Sequence, residues 1–156
     1  MSFTVTGLSV EPFQHLFALS DEELAGLGVL RRRADADRGF PCRVTLEDAK
    51  AGETLLLMNY EHQPANTPFR ASHAIFVREA ARETRQTIDE IPPALAVRPH
   101  ISLRAFTDDG MMIDATVAPG AALVEPIEQL LANDEVAYIQ AHYAGMGCYA
   151  ARIERA

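Results

Sequence analysis

What most constrains the fold is the segment at residues 55–77, LLLMNYEHQPANTPFRASHAIFV, in which two apolar runs flank a polar interval containing Pro64 and Pro68. Proline has no backbone N–H to give to a sheet ladder, so both runs must stop there and residues 63–70 must form a loop. A period of two makes the first run a strand, with Leu56, Met58, Tyr60 and His62 on one face and Leu55, Leu57, Asn59 and Glu61 on the other. Polar and titratable side chains enter as the apolar pattern fades. A loop in that position is where function tends to sit.

Turn chemistry divides the remainder. Residues 3–8 alternate as a strand. Pro12, with Phe13, Leu16 and Phe17 on one face, predicts a short helix, and Ser20-Asp21-Glu22-Glu23 caps a second one that ends at Gly28. Residues 29–33 read as extended or irregular, and residues 39–52 as two strands flanking one helical turn at Leu46-Glu47-Asp48-Ala49. Residues 79–87 are charged and helix-compatible, with Ile91-Pro92-Pro93 blocking any continuation. Residues 100–107 and 111–117 form a hairpin about Asp108-Asp109-Gly110. Pro126 begins a helix that turns Ile127, Leu130 and Leu131 to the core. Residues 136–143 and 148–155 are two last strands, and Gly145 or Gly147 between them is expected to take positive φ.

Helices do not alternate regularly with strands, which argues against a doubly wound parallel sheet. The expectation is an α+β fold: a curved or barrel-like, mainly antiparallel sheet of about six to eight strands, with two or three short helices packed on it. A chain of 156 residues, 48% of them hydrophobic, fits one domain spanning residues 1–156. Its net charge of −8 repels nucleic acid and anionic lipid, so neither is an expected partner. No window approaches the apolar length of a membrane span, and MSFTVTGLSVEPFQ lacks the basic-then-apolar pattern of a secretion signal, so a cytoplasmic location is expected. Cys42 and Cys148 stand far apart without a CxxC pair, which suits two reduced thiols and no disulfide.

Four phrases in this order, GFPCRVTLEDAKAGETLLLMNYEHQ, PFRASHAIFVRE, SLRAF and HYAGMGCYAARIER, resemble the bacterial family catalogued as domain of unknown function 1203. The resemblance spans essentially the full chain and implies a bacterial source and one domain. It brings no activity with it, so chemistry has to come from the residues.

Three arrangements compete. A thiol and imidazole site would draw on Cys42 or Cys148 with His62, His73 or His142, the thiolate being favoured by Arg43, Arg70 or a histidine. Against it, free cysteine is commonly a small buried hydrophobe. A metal site from the same histidines with Cys42, Cys148, Glu61 or Asp114 lacks both HExxH and CxxC spacing, and no metal is assigned. An anion pocket would use Arg43, Arg70 and Arg104, with Asn59, Tyr60, Ser72 and His73 as neutral partners. Its competitor is an internal ion pair with Glu47, Asp48, Glu61 or Asp114.

GMG at 145–147 is too short for a dinucleotide fingerprint, and no cofactor is named. His62, Arg70, His73 and His142 are expected to converge on one polar centre. The resulting functional expectation is a protein that binds or transforms a small anionic molecule in an Arg/His/Cys pocket. The alternative is a non-catalytic interaction module whose Arg and His side chains form an internal polar network.

Overall fold

The computed structural model describes residues 1–156. In chain order the elements are β1 (Phe3–Thr6), α1 (Glu11–Gln14), α2 (Asp21–Gly26), β2 (Leu30–Arg33), β3 (Thr54–Gln63), β4 (Ala71–Arg78), β5 (Gln86–Ile88), α3 (Pro93–Ala96), β6 (Ile101–Phe106), β7 (Met112–Ala118), α4 (Val124–Leu131), β8 (Tyr138–Tyr143) and β9 (Tyr149–Arg155). Six strands form one sheet in the order β5-β1-β9-β8-β6-β7, and three form a second in the order β2-β3-β4. Every neighbouring pair is antiparallel. The fold is α+β, as the turn pattern required, and neither sheet closes into a barrel.

Local chemistry explains most of these elements. Pro64 and Pro68 end the β3 and β4 ladders, and residues 64–70 form the loop between them. α2 begins with a reciprocal capping box: Glu23 N–H donates to Ser20 Oγ at 3.1 Å, and Ser20 N–H donates to the Glu23 carboxylate at 2.7 Å. Gly147 takes φ +81° in the β8–β9 turn, a conformation that a Cβ disfavours. Both cysteines are free.

Three readings need correction. Residues 79–87 are not helical: the chain turns after Arg78, and Gln86–Ile88 pairs with β1 as an edge strand, Thr87 opposite Val5. Of residues 79–85 only Ala81 is buried, so no apolar stripe holds a helix against the core. Pro93 does not merely block a helix but occupies the first turn of a new one, α3. Residues 39–52 form no strands, only isolated bridges pairing Pro41 with Asp48 and Cys42 with Phe76. Their backbone groups bond instead within the loop, to β4, and to the segments that follow β1 and precede β5. Arg43 N–H donates to the Phe76 carbonyl of β4, Leu8 N–H donates to the Arg43 carbonyl, and Arg85 N–H donates to the Val44 carbonyl. Gly7 lets this loop approach, because a Cβ there would meet the Val44 carbonyl.

The six-stranded sheet has two unlike faces. Ile139 and Ala141 of β8 lie level with Leu103 and Ala105 of β6 and Ala151 and Ile153 of β9, and this face packs under α4 in the larger apolar cluster. Gln140 and His142 point the other way, level with Arg104 and Ser102 on one side and Arg152 and Tyr149 on the other. That polar face meets the end of the β3–β4 hairpin. A second apolar cluster joins β3 and β4 to α1 and α2.

Candidate functional site

Two cavities lie against the β8–β9 hairpin. The first, of about 330 Å³, takes in Arg43, Phe76, Arg98, Tyr143, Met146 and Cys148. Arg43 comes from the loop threaded between the sheets and is only 2% exposed. Its Nε donates to the Tyr149 carbonyl at 2.7 Å and its Nη1 to the Pro41 carbonyl at 2.5 Å. Nη2 bonds to no protein atom and is not sealed in, so it is the nitrogen left open to the cavity. No carboxylate pairs with Arg43.

Arg98, which follows α3, is held differently: its two terminal nitrogens grip the Asp48 carboxylate at 2.6 and 3.0 Å. That bonding raises its pKa against the opposing effect of burial. The guanidinium carbons of Arg43 and Arg98 lie 4.9 and 5.3 Å from the centre of the Tyr143 ring. The Tyr143 hydroxyl is shut off from solvent and has no hydrogen-bond partner. Burial pushes its pKa up to about 12, with the two arginines opposing, so the hydroxyl keeps its proton and is a donor. Cys148, 9% exposed, lies close enough to perturb both Arg98 and Tyr143.

The second cavity, also about 330 Å³, opens beside Tyr60, His62, Gln140, Tyr149, Arg152 and Glu154. His62 stacks on Tyr149 with ring centres 5.5 Å apart, and its ring meets that of His142 at 4.9 Å. Gln140 is oriented by its Nε2, which donates to the His62 carbonyl at 2.9 Å. Its Oε1 then faces both imidazoles, 2.8 Å from His62 Nδ1 and 3.1 Å from His142 Nε2. The other nitrogen of His142, Nδ1, faces the Gly147 carbonyl at 2.9 Å.

Both nitrogens of His142 therefore look at acceptors, although a neutral imidazole has a single N–H. An imidazolium would bond both. Burial works in the opposite direction and dominates, holding the pKa down to about 3. The Gly147 carbonyl opposes the shift, and Arg104, His62 and His73 add to it. His62 is lowered in the same way, by burial first, against its bond to Gln140. Burial also raises the Tyr60 and Tyr149 phenols and lowers Arg104, whose only side-chain bond is from Nε to Ser102 Oγ at 3.4 Å.

The residues singled out from the sequence part company here. Arg43 and Cys148 meet in the first cavity, while His62 and His142 touch on the polar face. His73 sits opposite Tyr60 in the β3–β4 register, and its Nε2 reaches the Met146 carbonyl at 3.1 Å, so it joins the same turn. Arg70 does not converge with the histidines. It lies exposed and pairs with Glu61 at 3.2 and 3.4 Å, on the outward face of β3 that also carries Asn59, with Ser72 facing Glu61 across the register.

Cys42 is fully buried among Val44, Leu56 and Val77, its sulfur accepting from the Thr45 and Arg78 amides. Of the acids offered as ion-pair partners, Glu61 does take Arg70, so for that arginine the ion pair replaces the anion pocket; Glu47 pairs with Arg78 and Arg85, and Asp48 with Arg98, leaving Arg43 and Arg104 without a carboxylate. Arg98, Tyr143, Gln140 and Tyr149 were not among the residues singled out. The aromatic residues on either side of the Gly145–Gly147 turn were the available signal.

With this geometry in place, a family model described as "Protein of unknown function (DUF1203)" matches residues 39–155. No curated protein and no solved structure matches the chain. The matched span takes in every residue of the first cavity and the whole histidine cluster. The chain belongs to the DUF1203 family.

Proposed function

We propose that this DUF1203 protein binds a small anionic molecule in the cavity formed by Arg43, Arg98, Tyr143 and Cys148. The observation that carries the reading is the state of Arg43: a buried guanidinium with no carboxylate partner and one nitrogen open to the cavity. A charge removed from water without a counter-charge costs several kcal/mol, of which bonds to two carbonyls recover a part. An entering anion supplies the missing counter-charge.

The test is an amide-shift titration of isotopically labelled protein with a panel of small carboxylates, sulfonates and phosphates. Saturable shifts at Arg43, Arg98 and residues 143–148 are expected. If no anion in the panel moves those amides, the reading fails.

The alternative, an internal polar network, has its own support on the opposite face. Gln63 donates to the Tyr138 hydroxyl at 2.7 Å, and the His62–Gln140–His142 bonds tie the β3 end to β8. These groups spend their hydrogen bonds on one another. We assign that face to holding the two sheets together.

A further inference from the structure

We infer that the occupant of the Arg43 cavity is a monocarboxylate carrying a compact apolar body, an assignment that rests on the anion-binding reading above. Charge fixes the first half of it. Arg43 and Arg98 bring two positive charges to the wall, and Asp48 cancels one of them through its two-point bond to Arg98. His100 stands at the exposed rim, where solvent screens it. One uncompensated buried charge remains, on Arg43. A singly charged anion balances it, whereas a phosphate dianion would bring a second charge into a site with nothing left to neutralise it.

Donor geometry narrows the group further. Arg43 Nε and Nη1 are committed to the Tyr149 and Pro41 carbonyls, so the group offers an anion one free edge through Nη2. The Tyr143 hydroxyl, though unpartnered, is shut off from solvent and is not a donor to the cavity. One free edge with one charge to balance matches a carboxylate, which accepts through one oxygen and leaves the other to solvent. The body of the ligand follows from the rest of the wall, where Pro41, Phe76, Pro99 and Met146 present apolar surface. A cavity of about 330 Å³ is at the small end of ligand sites, which suits a single ring or a short chain.

The experiment titrates the labelled protein with benzoate, acetate, benzamide and phenyl phosphate. Benzoate is expected to bind at the cavity amides at least roughly tenfold more tightly than each of the other three. Phenyl phosphate binding at those amides as tightly as benzoate overturns the monocarboxylate and leaves the anion site standing. Acetate matching benzoate removes the apolar body and overturns the assignment. Benzamide matching benzoate shows that charge is not being read at all, and this sinks the anion site itself.

Discussion

His142 and Tyr143 are consecutive residues of β8, each almost wholly enclosed, and their polar atoms are in opposite predicaments. Tyr143 has a proton to give and no acceptor. His142 has an acceptor at each nitrogen and one proton between them. The strand's period of two turns one toward a cavity walled by apolar side chains and two guanidinium groups, and the other into a packed polar layer. Neither polar atom meets solvent: the Tyr143 ring lines a cavity while its hydroxyl is sealed, and the His142 ring, fully enclosed, can answer its deficit only by taking up a proton.

Acid is the strongest lever on the histidine side. The pKa of His142 is about 3 in the fold against 6.5 as an ordinary histidine, so between those values the unfolded chain holds a proton that the folded one lacks. The stability linked to His142 is therefore complete above about pH 6.5 and is lost as pH falls toward 3, by an amount on the order of 4 kcal/mol at the end of the window. Urea unfolding from pH 7.5 to 4 should show a steep fall in the parent and a shallower one in His142→Gln. Equal slopes would mean that His142 is not the group responsible.

Gln140→Glu sharpens the same point from within. It sets a carboxylate against both rings, and an opposite charge at that range favours the imidazolium by about 1–3 pKa units. Ring-proton resonances of His142 followed through pH should titrate higher than in the parent. No movement would place the Gln140 side chain out of reach of the ring.

Tyrosine variants separate a satisfied hydroxyl from an orphaned one. Tyr138→Phe strands the Gln63 amide that donates to it and is expected to cost about 1–2 kcal/mol. Tyr143→Phe discards an unpaired group and should leave the ligand-free protein as stable as the parent, or up to about 1 kcal/mol more stable. Urea midpoints of the two variants, measured side by side, decide the matter. A loss at Tyr143 equal to that at Tyr138 would show that its hydroxyl has a partner after all.

The smallest effect belongs to the turn that both residues lead into. Gly147→Ala forces a Cβ into φ +81° and should cost about 1 kcal/mol, while Gly145→Ala, in ordinary φ and open space, should cost almost nothing. Thermal midpoints that rank the two the other way would contradict the turn conformation.

What the sequence made legible was local. The 56/58/60/62 alternation, the proline-bounded loop, the Asp108–Gly110 hairpin and the positive φ of a turn glycine all depend on residues a few positions apart. Arg43 and Arg70 looked equivalent because what distinguishes them lies at long range. Arg70 finds Glu61 across the β3–β4 pair, and the acids near Arg43 in sequence are claimed by Arg78, Arg85 and Arg98. Arg98 gave little sign of itself, because its partner Asp48 is fifty residues away and its cavity exists only after the 39–52 loop is laid down. Residues 79–87 misled for a related reason: helix-forming composition says nothing about whether a surface exists to pack against. Strand β8 is buried on both faces, so its period of two shows in side-chain chemistry and not in exposure.

The loop that carries Arg43 has a consequence for how the molecule comes apart. Its backbone is bonded to β4 through Phe76 and to the segments after β1 and before β5 through Leu8 and Arg85, so neither sheet can part from it alone. Opening it unzips both seams in one event. The Leu8, Arg43 and Arg85 amides should therefore trade hydrogen for deuterium at one shared slow rate, well behind the fraying edge of β7. Scattered rates among the three would mean that the seams breathe independently.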